Sequence, residues 1–152
     1  MGTINAGAGN SGYIHAGPSG LLSPMLWRVL SALTLLAMGG IHLYLVFDGV
    51  GGLLGVLFVL NAIGGLLLAV AMLAAPRRLL PVASVLSLLF MVGTLLALIL
   101  ALTVGLFGIT ETLDFTLVPT TLVEESIGVV VLAVTTVLAF RIRRLGAGST
   151  NG

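Results

Sequence analysis

The sequence contains no cysteine, and only 7% of its 152 residues are charged. The absence of cysteine excludes disulfides, iron–sulfur clusters, thiolate zinc sites and thiol catalysis. A chain with so few charges, 59% hydrophobic residues and a mean hydropathy of +1.26 cannot bury its apolar surface in a soluble core. Its net charge of +1, without a run of basic residues, is unsuited to nucleic acid. The composition therefore predicts an integral membrane protein that has the lipid bilayer, and no nucleic acid, as a partner.

Four apolar runs are each long enough to cross the ~30 Å hydrocarbon core of a bilayer as an α-helix. Short polar or glycine-containing segments join them, so consecutive helices should run in opposite directions. We therefore predict an all-α fold, an antiparallel four-helix bundle in a membrane, formed by a single domain over residues 23–144. Flexible tails are predicted at residues 1–22 and 145–152. The predicted helices span approximately residues 24–47, 53–75, 82–108 and 120–143.

Basic and acidic residues are separated to the two sides of this four-span arrangement. Because basic residues favour the cytoplasmic side, the pattern predicts that both termini lie in the cytoplasm. The acidic residues then lie at the outer face. The basic residues are Arg28, Arg77, Arg78, Arg141, Arg143 and Arg144, and the acidic ones are Asp48, Glu111, Asp114, Glu124 and Glu125.

Small and polar residues recur along each predicted helix with an average spacing of 3.5 residues. In lipid, helices associate through small residues and through interhelical hydrogen bonds, so these stripes should face the other helices. The spacing favours a left-handed bundle. The stripes are Ser31, Leu35, Met38, Gly39 and His42; then Phe58, Asn61, Gly64, Gly65 and Met72; then Ser84, Ser87, Met91, Thr94, Leu98, Ala101, Gly105 and Gly108; and finally Thr121, Glu124 or Glu125, Gly128, Leu132, Thr135 and Ala139.

Polar residues near the outer ends of these stripes form the candidate functional site. His42 is placed about 9 Å and Asn61 about 12 Å below the outer surface, with Glu124 just beneath the boundary. On a helical wheel Glu124 points slightly more inward than its neighbour Glu125. We expect His42 within hydrogen-bonding or one-water reach of Asn61 or Glu124, in a pocket that opens outward. Glu111, in the following loop, completes the candidate outer cluster.

Each member of this cluster also has an ordinary structural interpretation. His42 could be a neutral side chain bonded to an amide or carbonyl, and Asn61 could join two helices. Glu124 and Glu125 lie near a helix start, where the helix dipole favours carboxylates in any protein. Glu111 could belong to a solvated loop. The chain has no H-E-x-x-H or G-x-S-x-G motif and no intramembrane histidine pair, so no enzymatic activity and no catalytic residue are predicted.

Four short motifs resemble those of a group of small, uncharacterised four-span membrane proteins of actinobacteria. They are residues 41–45 (IHLYL), 57–62 (LFVLNA), 105–111 (GLFGITE) and 123–124 (VE). The resemblance implies that His42, Asn61, Glu111 and Glu124 are the group's shared polar positions. It also implies a bacterial plasma membrane, and it implies no known activity. DoxX-like proteins are similar only in their overall shape.

Three classes of function are compatible with the sequence. The first is an accessory or interaction subunit of a membrane complex, since the chain consists of little more than four spans and two tails. The second is a small oligomeric transporter or ion and proton pathway that uses His42 and Glu124. The third is a redox-linked protein that binds a divalent metal or haem through His42, although no cofactor is predicted. In each class the chain is expected to form a homo-oligomer or to join a larger complex.

Overall fold

The computed structural model describes residues 23–105, 108, 110, 112–114 and 117–148, and these form four α-helices without any strand. Each helix is long and apolar enough to cross a membrane, so the predicted all-α fold with four candidate spans is confirmed. The helices are α1 (Pro24–Phe47), α2 (Gly52–Ala74), α3 (Leu80–Thr103) and α4 (Val118–Gly148).

Glycines end the first and third helices. Gly49 has a φ of +106°, its N–H donates to Val46 O at 3.3 Å, and the next N–H, of Val50, donates to Leu45 O at 3.0 Å. This pattern is a Schellman motif, and it ends α1 where the sequence predicts. α3 ends at Thr103, so its predicted extension to residue 108 is wrong. Gly105 is the cause, because its φ of +82° is incompatible with a continuing helix.

α4 is longer than predicted at both ends. It begins at Val118 instead of residue 120 and continues to Gly148 instead of residue 143. Residues 141–145 include three arginines and a leucine, which are good helix formers, and no proline interrupts them. Residues 145–148, which were predicted as part of the C-terminal tail, thus belong to α4. The predicted tail at residues 1–22, and the end of the chain at 149–152, lie outside the described residues.

α1 packs closely on α2 because glycines bring the two backbones together. A methyl group added to Gly65 would lie 2.8 Å from Leu35 O, and one added to Gly39 would lie 3.3 Å from the Cα of Ala62. No side chain larger than hydrogen fits at Gly65 without moving the backbone of α1. Small residues therefore allow close contact between α1 and α2, as the stripes predict.

Residue numbers rise along α1 as they fall along its neighbours. Contacts with α2 go from Arg28 with Met72, through Leu35 with Gly65, to His42 with Phe58. α1 also packs on α4, through a hydrogen bond between Ser31 and Thr135. In the other half of the bundle, α3 packs mainly on α4, with Met91 against Gly128, and less closely on α2, with Phe90 against Gly64.

The buried faces of α1, α3 and α4 largely agree with the predicted stripes, whereas on α2 only Gly65 and Met72 of the stripe are buried. On α3 the buried residues include Ser84, Ser87, Met91, Thr94 and Ala101, whereas Leu96 and Leu100 are exposed. Large apolar side chains cover the outer surface of all four helices, which is expected for a surface in contact with lipid. The fully buried core side chains are Leu35, Met38, Met72, Met91 and Leu132.

Arginines and acids mark the two ends of this fold. The arginine end comprises the start of α1, the α2–α3 connection and the last turns of α4. The acidic end comprises the α1–α2 connection, with Asp48, and the region from Asp114 to Glu125. These two names are used below.

Candidate functional site

Glu125 is the carboxylate that faces the core, and the preference for Glu124 is wrong. Glu125 is 0% exposed, while Glu124 is only half-buried. The buried positions on α4 step alternately by four and three residues, and Glu124 falls out of that alternation. A strict 3.5-residue spacing counted back from Ala139 would have selected Glu125 from the sequence. The buried residues on α4 include Thr121, Glu125, Gly128, Leu132, Thr135 and Ala139.

The carboxylate oxygens of Glu124 and Glu125 are all buried, and none has a hydrogen-bond partner among the described residues. Thr94 of α3 lies beside the Glu125 carboxylate, but its hydroxyl donates to Met91 O at 2.9 Å. A hydroxyl has one hydrogen, so Thr94 has none left for Glu125. Two adjacent acids therefore lie within a candidate membrane span without a donor.

The helix dipole does not account for these two acids. α4 begins at Val118, so Glu125 lies about seven residues, or roughly 10 Å, inside the helix. Dipole stabilisation of a carboxylate falls off within the first turn, and that turn contains no acidic residue. The N–H and hydroxyl of Thr121 both donate to Leu117 O, at 2.8 and 2.9 Å. Thr121 thus uses both of its donors on Leu117 O and offers none to the acids.

Glu124 lies between two shallow grooves on the outer surface of the bundle. One groove is lined by Leu33, Thr34 and Ala37 of α1 together with Glu124 and Ile127 of α4. The other lies on the opposite side of Glu124 and is lined by α4 alone, near its start. Its residues are Pro119, Thr120, Val123, Glu124 and Ile127. Glu124 therefore borders the outer surface, while the adjacent Glu125 lies inside the core.

His42 is buried, as expected for the α1 stripe, but its described hydrogen bond is local. Its Nδ1 donates to Met38 O at 2.9 Å, one turn earlier in the same helix. Its ring packs edge-on against Phe58 of α2, with 4.8 Å between ring centroids and an angle of 84° between planes. These contacts fix the ring between α1 and α2, with Nδ1 occupied.

No direct hydrogen bond joins His42 to Asn61 or Glu124, although all three residues are described. Asn61 is half-buried, and contact by way of a water molecule stays a prediction. The depth of the cluster agrees with expectation, because His42 is 11 residues after Ser31 and Glu124 is 11 residues before Thr135. Glu111 lies outside the described residues. The structure thus brings Glu124, Glu125 and Thr94 together, with His42 at a similar depth.

Two polar contacts at the arginine end are absent from the sequence-based predictions. Arg28 donates through Nε to Met72 O at 2.8 Å and through one terminal nitrogen to Leu73 O at 2.8 Å and Ala75 O at 2.7 Å. It therefore caps the C-terminus of α2, where carbonyl groups lack partners within the helix. In the sequence, this role was indicated only by the predicted position of Arg28 at the same side of the membrane as the end of α2.

The second contact joins α1 and α4. The Ser31 and Thr135 hydroxyl oxygens are 2.8 Å apart, and both side chains are buried. Thr135 also donates to Val131 O at 2.8 Å, so Ser31 is the donor in the pair. Both residues lie on predicted stripes, but the stripes alone do not show that they meet.

Among the described residues, no group of three or more His, Cys, Asp or Glu side chains could hold a metal ion. Comparisons with protein-family models, with curated proteins and with solved structures gave no match to this chain. The site must therefore be interpreted from its own geometry, in which the unpartnered carboxylates of Glu124 and Glu125 are the main feature.

Proposed function

We propose that the chain is an antiparallel four-helix bundle in a bacterial plasma membrane with both termini in the cytoplasm. The opposite progression of residue numbers in the α1–α2 contacts supports the antiparallel arrangement. The separation of arginines from acids supports the orientation, since the arginine end would face the cytoplasm. The resemblance to small actinobacterial membrane proteins supports the choice of membrane.

Within this arrangement, the protein acts as part of a proton or monovalent-cation pathway, with Glu125 as the binding group and Glu124 as its link to the outer surface. The observation that carries this proposal is the burial of both carboxylates without a donor. A charged carboxylate in apolar surroundings is costly, and it becomes stable when it takes up a proton or a cation. Reversible uptake of such an ion is the simplest chemistry for this site.

Glu124 is suited to exchange an ion with the solution on the outer side of the membrane. It borders two surface grooves, one of which includes the start of α4 at the acidic end. Glu124 directly precedes Glu125 in the sequence, and the Thr94 hydroxyl lies beside the Glu125 carboxylate. An ion bound at Glu124 is therefore close to both groups. His42, bonded through Nδ1 to its own helix, lies at a similar depth but in contact with α2. We therefore assign the exchange to the carboxylates and a packing role to His42.

In the described part of the chain, fully buried apolar side chains, among them Leu35, Met38 and Leu132, fill the core of a single bundle. A complete pathway would therefore form between copies of the chain or with a larger partner. This places the chain as a subunit, either of a homo-oligomer or of a membrane complex. The mass of the purified protein in detergent distinguishes these two assemblies.

Labelling with dicyclohexylcarbodiimide tests the ion site, because this reagent modifies protonated carboxyl groups in apolar surroundings. We expect the label on Glu125, the acid in the apolar core, detected as a mass increase on the corresponding peptide. Labelling should decrease as the pH is raised, because deprotonated carboxylates do not react. If a metal cation competes for the site, added sodium should slow the reaction at constant pH.

Three variants make this experiment decisive. Glu125→Gln has nearly the same shape and cannot be labelled at that position, whereas Asp48→Asn changes an exposed acid at the same end. The first should lose label and the second should not. In liposomes containing a pH-sensitive dye, the wild-type protein should dissipate a pH gradient faster than Glu125→Gln, and Glu124→Gln should be intermediate. Equal rates for all proteins would contradict a transport role.

A further inference from the structure

The arginine end carries a second feature that the ion site does not use. Arg77 and Arg78 in the α2–α3 connection are exposed, as are Arg141, Arg143 and Arg144 on α4. Within the described part of the chain these five guanidinium groups have no hydrogen-bond acceptor. Arg28, at the same end, differs from them because it is bonded to carbonyl groups of α2.

The packing of α3 on α4 places Arg78 and Arg141 at about the same height. Met91 lies against Gly128, which fixes how the two helices are aligned. Arg78 is 13 residues before Met91 and Arg141 is 13 residues after Gly128, so these two arginines lie at the same height. Burial of both Leu80 and Ala139 in the core agrees with this alignment. The described acidic residues all belong to the opposite end, so none of their carboxylates neutralises this surface.

Apolar side chains accompany the arginines. Leu79 is 50% exposed, Phe140 is 39% exposed and Leu145 is 78% exposed, and each is adjacent in sequence to one of the five arginines. α4 continues as a helix past Arg144 to Gly148, beyond the level of the α2–α3 connection. The surface therefore offers guanidinium groups beside apolar side chains, at the place where the helices leave the apolar span.

We infer that this surface binds anionic phospholipid headgroups. A guanidinium group forms paired hydrogen bonds with phosphate oxygens, and exposed apolar side chains suit the adjacent acyl chains. A free phosphate ion could use the arginines, but it would gain nothing from Leu79, Phe140 and Leu145. Clusters of basic residues beside membrane spans gain about 1 kcal/mol per residue from anionic lipid, which corresponds to about a fivefold change in affinity for each arginine.

Lipid binding to the purified full-length protein in detergent tests this inference. Native mass spectrometry, with thermal unfolding as a second readout, should show preferential binding of phosphatidylglycerol over phosphatidylcholine with the same acyl chains. The preference should weaken with added salt, since exposed charges are screened. Replacing Arg77, Arg78, Arg141, Arg143 and Arg144 together by Gln should abolish it. Each single Arg→Gln change should reduce binding by about fivefold.

The control variant replaces the same five residues by Lys. It keeps the positive charge, so it should fold and retain most of the preference, and detergent removes any effect of altered orientation in the membrane. Equal binding of the two lipids by the wild-type protein would overturn the inference. So would an unchanged preference in the Gln variant, or equal binding of phosphatidylglycerol by the Gln variant and the wild-type protein. Displacement of the lipid by millimolar inorganic phosphate would assign the surface to a free anion instead.

Discussion

The two ends of the bundle treat their buried polar side chains differently. At the arginine end, Arg28 occupies the last carbonyl groups of α2, and Ser31 is bonded to Thr135 across two helices. At the acidic end, the oxygens of Glu124 and Glu125 have no partner among the described residues. Polar groups join helices at one end and have no stabilising partner at the other.

This difference distinguishes buried polar side chains that stabilise the fold from buried polar side chains that serve a function. A hydrogen bond across two helices lowers the energy of the fold, whereas a buried acid without a donor raises it. The hydroxyl of Ser87 on α3 is also buried without a partner, but a neutral hydroxyl costs far less to bury than a carboxylate. The acidic pair is thus the costly feature of the molecule, and the cost is consistent with a role in ion binding.

The largest expected effect comes from the arginine end. Arg28→Met keeps an extended apolar side chain but leaves three carbonyl groups at the end of α2 without their donor. We expect the free energy of unfolding to fall by about 2–4 kcal/mol, since hydrogen bonds from charged groups are among the stronger ones. Unfolding in mixed detergent micelles measures this change. Arg78→Met is the matched control, and an equal effect of both changes would show that the cap does not stabilise the fold.

The acidic end should respond in the opposite direction. Glu125→Leu replaces an unpartnered acid in the core by an apolar side chain, and we expect roughly 1–3 kcal/mol of added stability. The same unfolding measurement, combined with loss of carbodiimide labelling, tests this expectation. A large loss of stability would mean that Glu125 has a structural partner, and the contrast between the two ends would then fail.

The smallest effect concerns Ser31 and Thr135. A double-mutant cycle with Ser31→Ala and Thr135→Ala should give a coupling energy of about 0.6–1.7 kcal/mol, the range for hydrogen bonds between membrane helices. Each single change should cost about as much as the coupling energy, because either one removes the same hydrogen bond. If the two single effects simply add up in the double variant, the two hydroxyls lie close together but contribute no net hydrogen-bond energy.

The sequence predicts the spans and their buried faces because both depend on simple periodic properties. Length and hydropathy define a helix that can cross a bilayer, and the spacing of small residues defines the side that meets other helices. Gly39 and Gly65 lie on predicted stripes, and each contacts the backbone of the neighbouring helix. The ends of α3 and α4 were less accurate, because one backbone angle at Gly105 ends α3 while nothing ends α4 before Gly148.

The sequence places His42 and Glu124 at matching heights, as the structure does, but it favoured the wrong carboxylate and missed the bond from His42 to Met38 O. Depth follows from counting residues, whereas the direction of a side chain depends on how the helices twist around each other. Because adjacent residues differ in direction by only a fraction of a turn, this twist decides that Glu125, and not Glu124, points into the core. The bond from His42 to Met38 O is available within any helix, so spacing between helices could not exclude it. Contact of His42 with Asn61 by way of water stays a prediction.

The cap formed by Arg28 also bears on the order in which the chain assembles. Arg28 precedes its acceptors, Met72 to Ala75, by more than 40 residues, so the contact forms only once α2 has been synthesised. The close glycine contacts between α1 and α2 lie within the same segment of the chain. Because N-terminal parts of a chain fold first during synthesis, α1 and α2 can pair as a hairpin before α3 enters the membrane. Glu125 would then be inserted last, against a pair of helices that is already locked together.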